Sequence, residues 1–440
     1  MIVANGDQLV ETAGGKRYRL TDPNVHLLFP SMGDTATRCL AAVMRFAGIR
    51  ATALEPAGRQ ELSLGRGLAT CKECLPLILT TGSLVNYLSQ FKRQGEVIVY
   101  FMPQADGPCR FGQYNVFMNN YIRKNRVEDV VLLSPSSRDG YGGFPPELSR
   151  RAWLALCIGD GLEEVRAGIL ALAEDPEGAM EAFVKVRDRI VASLASDRYA
   201  QILETIKKEM AGLAAVPRKC ALDQATRIAL VGEIFVRQDG FSRHYLVERL
   251  AAMGIVVKTA PITEWIHYID YCVAKGLVGE ASLGKRLALQ AKKMIMRRDE
   301  RRIGRLLVTS GFTDGHRIGI EHLVCRGSSL LNPRLAGEAI LTVSSALTEI
   351  GDWAHGVISI GPFGCMPSRI AEAILTYRLV AEKENFSLKR RKFWATHKGR
   401  LPLPFLAIES DGNPFPQLVE IQLENLVLAA NRLKDSLRKA

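Results

Sequence analysis

The sequence predicts an α/β protein built from two doubly wound, Rossmann- or flavodoxin-like parallel-sheet units, with a helical linker and a helical insertion. Three observations carry that expectation. Short apolar, β-branched runs recur and several stop at proline; helical segments alternate with them; and the alternation restarts after a long helical stretch. A strand covered on both faces reads as a near-continuous apolar run. Strand–helix alternation at this spacing is what crossovers between parallel strands require.

Taken in order, residues 1–24 read as a β-rich N-terminal extension. The first α/β domain, 25–145, follows. Its strands are "VHLLFP", "IRATALEP", "GEVIVYFMP" and "VEDVVLLSP", and its helices are "TRCLAAVMRFAG", "LPLILTTGSLVNYLSQFKRQ" and "FGQYNVFMNNYIRKN". Residues 146–222 turn helical and form a linker region. The second α/β domain, 223–440, opens with "RIALVGEIFV", "SRHYLVERLAAMG" and "IVVKTAP". A basic helical insertion fills about 276–350. The strands "GVISI" and "PFLAIES" then flank a helix, and "PQLVEIQLENLVLAANRLKDSL" closes the chain as a long helix. There is no short-period repeat and no low-complexity tract.

With 440 residues, 47% of them hydrophobic and 24% charged, the chain has room for two or three substantial cores. No apolar run reaches the roughly 18–20 residues that span a bilayer. The first residues carry no signal-peptide pattern, so a cytoplasmic protein without membrane partners is expected. Nine cysteines, an odd and unpatterned set, argue against a disulfide framework. The net charge of +12 is concentrated in "KKMIMRRDERRIGRL" and "SLKRRKFWATHKGR". These are either solvated faces or surfaces for an anionic ligand or acidic partner. No nucleic-acid-binding pattern accompanies the charge, which speaks against nucleic acid.

Three cysteines stand where open α/β sheets bind ligands, beyond the carboxyl ends of strands. Cys109 follows "VIVYFMP" in the loop "QADGPCRFGQY", Cys365 follows "VISI" in "GPFGC", and Cys74 closes "GRGLATCKEC". Cys74 and Cys365 each precede a proline by two residues. That proline suits the first helical position, which places the thiol ahead of a helix N-terminus, where unpaired N–H groups favour a thiolate. Read from spacing alone, the thiols fit iron–sulfur ligation, a zinc site, or reduced structural cysteines. Only Cys71 and Cys74 form a C-x-x-C pair. Cys39, Cys157 and Cys272 lie inside amphipathic helices and read as core.

Six blocks, "ATCKECLPLILTTGSLVNYL", "VYFMPQADGPCRFGQYN", "ALVGEIFVRQDGFSRHYL", "EWIHY", "ISIGPFGCMPSRIAEAIL" and "PFLAIESDGNPFPQLVEIQLENL", resemble in order the motifs of the 2-hydroxyacyl-CoA dehydratase superfamily. The resemblance is to its activase-related branch, found alone or as the C-terminal part of CoA-enzyme activases, and it covers about residues 26–435. It implies one [4Fe–4S] cluster held by Cys74, Cys109 and Cys365 in an interdomain cleft, with Cys71 as a possible fourth ligand. It also implies an ATP-dependent activase or another low-potential electron donor as partner. An acyl-CoA or other small-molecule substrate and a homo- or hetero-oligomer belong to the same expectation. The actin-like ATPase half of such activases is missing, and no G-x-x-x-x-G-K-[ST] loop is present. Double-cubane relatives need six thiolates, so a single cluster is the more economical expectation. "MGDTATR" superficially resembles a phosphate loop but reads better as a helix cap.

Beside Cys109, Arg110, Gln113 and Tyr114 are candidates to donate hydrogen bonds to cluster sulfurs. The alternative for them is packing at a helix start. Glu233 and Arg237 either face the cleft between the α/β units or form a structural ion pair. Glu264, Trp265 and His267 in "EWIHYID" read as a core seal or, less simply, a cofactor contact, and Glu409 and Asp411 at a strand end as part of an Asp-Gly turn or as catalytic carboxylates. Two other functions stay open: a non-catalytic scaffold that docks an activase through the basic "LKRRK" stretch, and a zinc-stabilised CoA- or nucleotide-binding protein.

Overall fold

A computed structural model describes all residues except 1, 5, 6, 13, 71, 106, 108, 138–140, 142, 143, 279–282, 336, 382–402 and 440. The fold class is the expected one: two four-stranded, all-parallel sheets, each flanked by helices. Contacts divide the chain into two units. One comprises 1–162, 185–209 and 272–306, the other 163–184, 210–271 and 307–440. The helices of 146–222 are therefore shared between the units, as are those of 276–350.

The first unit opens with a small antiparallel sheet, β1 (Ile2–Ala4), β2 (Asp7–Glu11) and β3 (Arg17–Arg19). Its parallel sheet uses β4 (Val25–Phe29), β5 (Ala51–Ala53), β6 (Val97–Phe101) and β7 (Val130–Leu133) in the order β5-β4-β6-β7. The connecting helices are α1 (Asp34–Phe46), α2 (Arg59–Leu68), α3 (Leu75–Gln90) and α4 (Tyr114–Lys124). Leu28, Ile98, Tyr100 and Val130 of the strands bury against Leu77 and Leu84 of α3 and Met118 and Ile122 of α4. The Tyr100 hydroxyl, deep in that core, donates to the Thr80 carbonyl at 2.6 Å, so this buried hydroxyl is satisfied. α2 and α3 approach closely because each offers a glycine: a Cβ at Gly65 would overlap the Ile78 carbonyl, and one at Gly82 the Glu61 carbonyl. "MGDTATR" is a helix start. Gly33 caps α1 with φ +79°, and the Thr37 hydroxyl donates back to the Gly33 carbonyl at 2.9 Å.

Three long helices follow, α5 (Pro146–Leu172), α6 (Pro176–Ser196) and α7 (Tyr199–Ala214). The second sheet contains β8 (Thr226–Gly232), β9 (Ile255–Thr259), β10 (Gly356–Pro362) and β11 (Phe405–Ser410), ordered β11-β10-β8-β9. Between them run α8 (Ile234–Gln238), α9 (Leu246–Ala252), α10 (Ile262–Ala274), α11 (Leu283–Val308), α12 (Ile320–Gly327), α13 (Glu338–Asp352) and α14 (Met366–Ala381). The last helix is Gln417–Lys439. Alternation along the strands decides the layers. Ala229 and Val231 pack with Val343, Leu347 and Leu375 of α13 and α14, while Ile228 and Leu230 pack with Leu250 of α9 and Leu423 and Leu426 of the last helix. The "IFV" end of the block starting at Arg227 is helix rather than strand: β8 stops at Gly232 and Glu233 caps α8, its carboxylate accepting from the Val236 N–H at 2.8 Å.

Numbered from the first strand of each unit, both sheets have the order 2-1-3-4. The order reverses between strands one and three, at β4/β6 and at β8/β10, and the carboxyl ends of those pairs form the ligand edge of a doubly wound sheet. The duplication is one of topology and has no counterpart as a repeat in the sequence.

Candidate functional site

In the first unit, α3 and α4 are crossover helices and begin at the carboxyl edge of the sheet. Cys74 is the N-cap of α3, with Leu75 first and Pro76 second in the helix. Proline was expected one position earlier; the second position serves equally, because the first N–H groups of a helix have no intrahelical partner. Cys109 caps a 3₁₀ turn, Arg110–Gln113, and its Sγ accepts from the Phe111 N–H at 3.5 Å. Two contacts tie the loops of these thiols together. The Arg110 guanidinium donates to the Lys72 carbonyl, and the Tyr114 hydroxyl lies 2.5 Å from Cys74 Sγ. Phe111 stands edge-on to the Tyr114 ring, 5.2 Å between centroids, and steadies it. Arg110 and Tyr114 thus have defined roles, one fastening the loops and one at the sulfur, whereas Gln113 closes the 3₁₀ turn. Cys71 lies outside the described residues, as does the basic stretch "SLKRRKFWATHKGR" with its "LKRRK".

In the second unit Cys365 leaves β10 and opens α14, its carbonyl accepting from the Arg369 N–H at 2.9 Å. Its surroundings are different in kind. Burial pushes the thiol up to about 11, and the nearby Glu233 and Glu338 carboxylates push the same way, against the Ser368 hydroxyl and N–H, which favour the thiolate. The helix N-terminus was expected to favour a thiolate here; burial and two acidic neighbours outweigh it. A Cβ on Gly361 would overlap the Ser368 hydroxyl, which explains the glycine in "GPFG".

Around Cys365 the second unit gathers acids that the sequence does not bring together. Glu338, the first residue of α13, accepts from the Ile234 N–H at 3.1 Å and faces Arg237 at 3.4 Å. Burial, with Glu233 beside it, pushes the Glu338 carboxyl up to about 8. Burial likewise raises Glu233 and Glu264, the latter accepting from the Ser345 hydroxyl at 2.9 Å. Arg237, 2% exposed, is an anchor: it donates to the carbonyls of Gly232, Ala260 at 2.9 Å and Pro261 at 3.2 Å. Its side-chain partner is Glu338, 101 residues away, a pairing no local pattern announces. On the far side of Cys365, Glu409 accepts from the Gly364 N–H at 3.1 Å and holds the loop. Asp411 accepts from the Asn413 N–H at 2.9 Å, the turn that Asp-Gly foretold.

Cys39, Cys157 and Cys272 are buried, as helical spacing implied; Cys325 is exposed. None of the described cysteines is joined in a disulfide. Trp265 and Tyr268 pack at 5.7 Å on α10. Among the described residues, no three His, Cys, Asp or Glu side chains gather into a group fit to hold a metal. Among the same residues no helix is long and apolar enough to cross a membrane. No protein-family model matches the chain, and no curated protein matches its sequence.

Proposed function

We propose that the chain is a cytoplasmic iron–sulfur redox protein that holds one [4Fe–4S] cluster through Cys74, Cys109 and Cys365, as its resemblance to the 2-hydroxyacyl-CoA dehydratase superfamily implies. The observation that carries this reading is the paired thiols of the first unit. Two cysteines 35 positions apart in sequence cap helix starts at one sheet edge, are fastened loop to loop, and are free of disulfides. Thiols at helix N-termini suit thiolate ligation, so this pair fits the donor set of such a cluster. Cys365 is the third donor, from the matching strand of the second unit. When bound, the cluster supplies one-electron chemistry at low potential, with three thiolates leaving one iron for another ligand.

The chain's own residues define the rest. Tyr114 places a hydroxyl at the Cys74 sulfur, and the Phe111 N–H points at that of Cys109; hydrogen bonds of this kind favour the more negative state of a thiolate site. Glu338 holds a proton at neutral pH beside Cys365. The electron donor is an ATP-dependent activase or another low-potential donor, and the acceptor is an acyl-CoA or another small molecule. The test is anaerobic reconstitution with iron and sulfide, metal analysis, and EPR of the dithionite-reduced protein. About four irons per chain and a reduced-state signal are expected. Cys74→Ala, Cys109→Ala and Cys365→Ala should each abolish the signal, and Cys157→Ala should leave it unchanged. A colourless protein after reconstitution overturns the proposal. Zinc in place of iron on elemental analysis favours the zinc-stabilised alternative.

A further inference from the structure

At the opposite, amino-terminal edge of the first sheet lies a second constellation, unrelated to the cysteines. Three side chains distant in sequence line up there. His26, second residue of β4, is buried, and its Nδ1 lies 2.9 Å from Glu96 Oε1. Its Nε2 lies 2.8 Å from the Thr52 hydroxyl on the edge strand β5. Glu96, also buried, is held by the Arg93 N–H at 3.0 Å and by the Arg50 guanidinium at 2.9 Å.

The partners fix the proton positions. Against the effect of burial, the Arg93 N–H, the hydrogen bond with His26 and the Arg50 charge together keep Glu96 below its ordinary range, so it is an anion and accepts. His26 Nδ1 therefore carries the ring hydrogen, and the Tyr87 hydroxyl, 3.0 Å from Nδ1, completes the enclosure. Burial keeps the imidazole neutral at pH 7, with Arg50 and Arg93 acting in the same sense. Nε2 is then a lone pair facing the Thr52 hydroxyl, which donates to it. Unlike its two partners, Thr52 is exposed to solvent.

An exposed hydroxyl, a neutral imidazole in hydrogen-bond reach, and a buried carboxylate orienting that imidazole are the parts of an activated oxygen nucleophile. Arg50, two residues before Thr52 along the extended chain, joins the same network through Glu96 and brings a half-exposed cation to the same face. We infer that Thr52, His26 and Glu96 form an acyl-accepting site for small acyl esters with good leaving groups, Thr52 Oγ1 being the nucleophile. Thr52 Oγ1 gives its proton to His26 Nε2 as the Oγ1–acyl bond forms and the bond to the leaving oxygen breaks; that oxygen takes the proton from Nε2. In the second half, water gives a proton to Nε2 and its oxygen attacks the acyl carbon. The Oγ1–acyl bond then breaks and Oγ1 recovers the proton from Nε2. No oxidant, reductant or metal enters the balance.

The probe is p-nitrophenyl acetate with the purified full-length chain, reading nitrophenol release and peptide mass mapping in parallel. Expected are an acetyl group on Thr52 and a release rate that falls at least about tenfold in Thr52→Val. Thr52→Ser should match or exceed the wild type, since it removes the methyl beside the nucleophile. His26→Gln should lose acetylation of Thr52; if that buried variant fails to fold, the two Thr52 variants decide alone. Acetylation confined to lysines, or a Thr52→Val rate equal to wild type, overturns the inference.

Discussion

In the first unit the helix leading into the third strand starts after Cys74, and the loop leaving that strand carries Cys109. In the second unit the same two places in the same 2-1-3-4 sheet are taken by Glu338 and Cys365. One switch point therefore presents two thiols with hydrogen-bond partners. The other presents a thiol beside carboxyls, and the two kinds of neighbour act oppositely. The Tyr114 hydroxyl and Phe111 N–H can stabilise negative charge on sulfur. Burial opposes it at Cys365, and Glu233 and Glu338 add to that, so that Cys365 stays protonated well past neutrality. Identical topology sets where a ligand edge lies; the side chains delivered there decide its charge state.

The largest effect that would break this comparison comes from the anchor found only in the second unit. Arg237→Ala strips donors from three buried carbonyls and removes the guanidinium that faces the Glu338 carboxyl. It should cost about 3–5 kcal/mol, read as loss of hydrogen-exchange protection in β8 and β10 with β4 and β6 unaffected. Unchanged protection would mean that Arg237 is no anchor. In the first unit the corresponding weakness is the α2–α3 contact. Gly82→Ala forces a methyl into the Glu61 carbonyl and should cost about 1–3 kcal/mol, lowering the urea midpoint reported by α3.

Glu338→Gln sharpens the contrast in charge. The native carboxyl keeps a proton that the unfolded chain releases above about 4.5. Its contribution to stability is therefore complete below 4.5 and is lost as pH rises towards about 8. Relative to wild type, the variant should be near neutral in stability at pH 5 and favoured at pH 9. It should also alkylate faster at Cys365 above pH 8, because the neighbouring negative charge is gone. A stability difference that does not change with pH would refute this assignment. The smallest effect is Tyr114→Phe, which removes the hydroxyl at Cys74 Sγ. About 1 kcal/mol or less is expected, seen as slower alkylation of Cys74 near neutral pH with no change at Cys365. If cluster reconstitution succeeds, the same variant should lower the reduction potential.

Much of the fold was legible because buried parallel strands announce themselves as apolar β-branched runs, and "VHLLF", "VIVYF" and "GVISI" are all strand. Helix starts were legible too, from C-x-P and from "MGDTATR", since capping is a local affair. "IFV" misled because a short amphipathic turn and a strand share one apolar spelling over a few residues. In the candidate site, the cysteines and their immediate neighbours Arg110 and Tyr114 could be singled out from the chain. The Glu233–Glu338–Glu264 group around Arg237 could not: its members are separated by up to 105 positions and none stands in a recognisable spacing. The His26–Glu96–Thr52 line escaped notice for the same reason, each member sitting singly in a strand or beside one.

The amino-acid order by itself determined the strands and helices, the parallel class of both sheets, and the placing of Cys74, Cys109 and Cys365 just ahead of helices, because each depends on residues within a few positions of one another. The tertiary structure alone decided that the two sheets share one strand order, that Arg237 pairs with Glu338, and that the Cys365 thiol is held protonated. Those properties arise from burial and from charges brought close by distant segments, and neither quantity exists until the chain has folded.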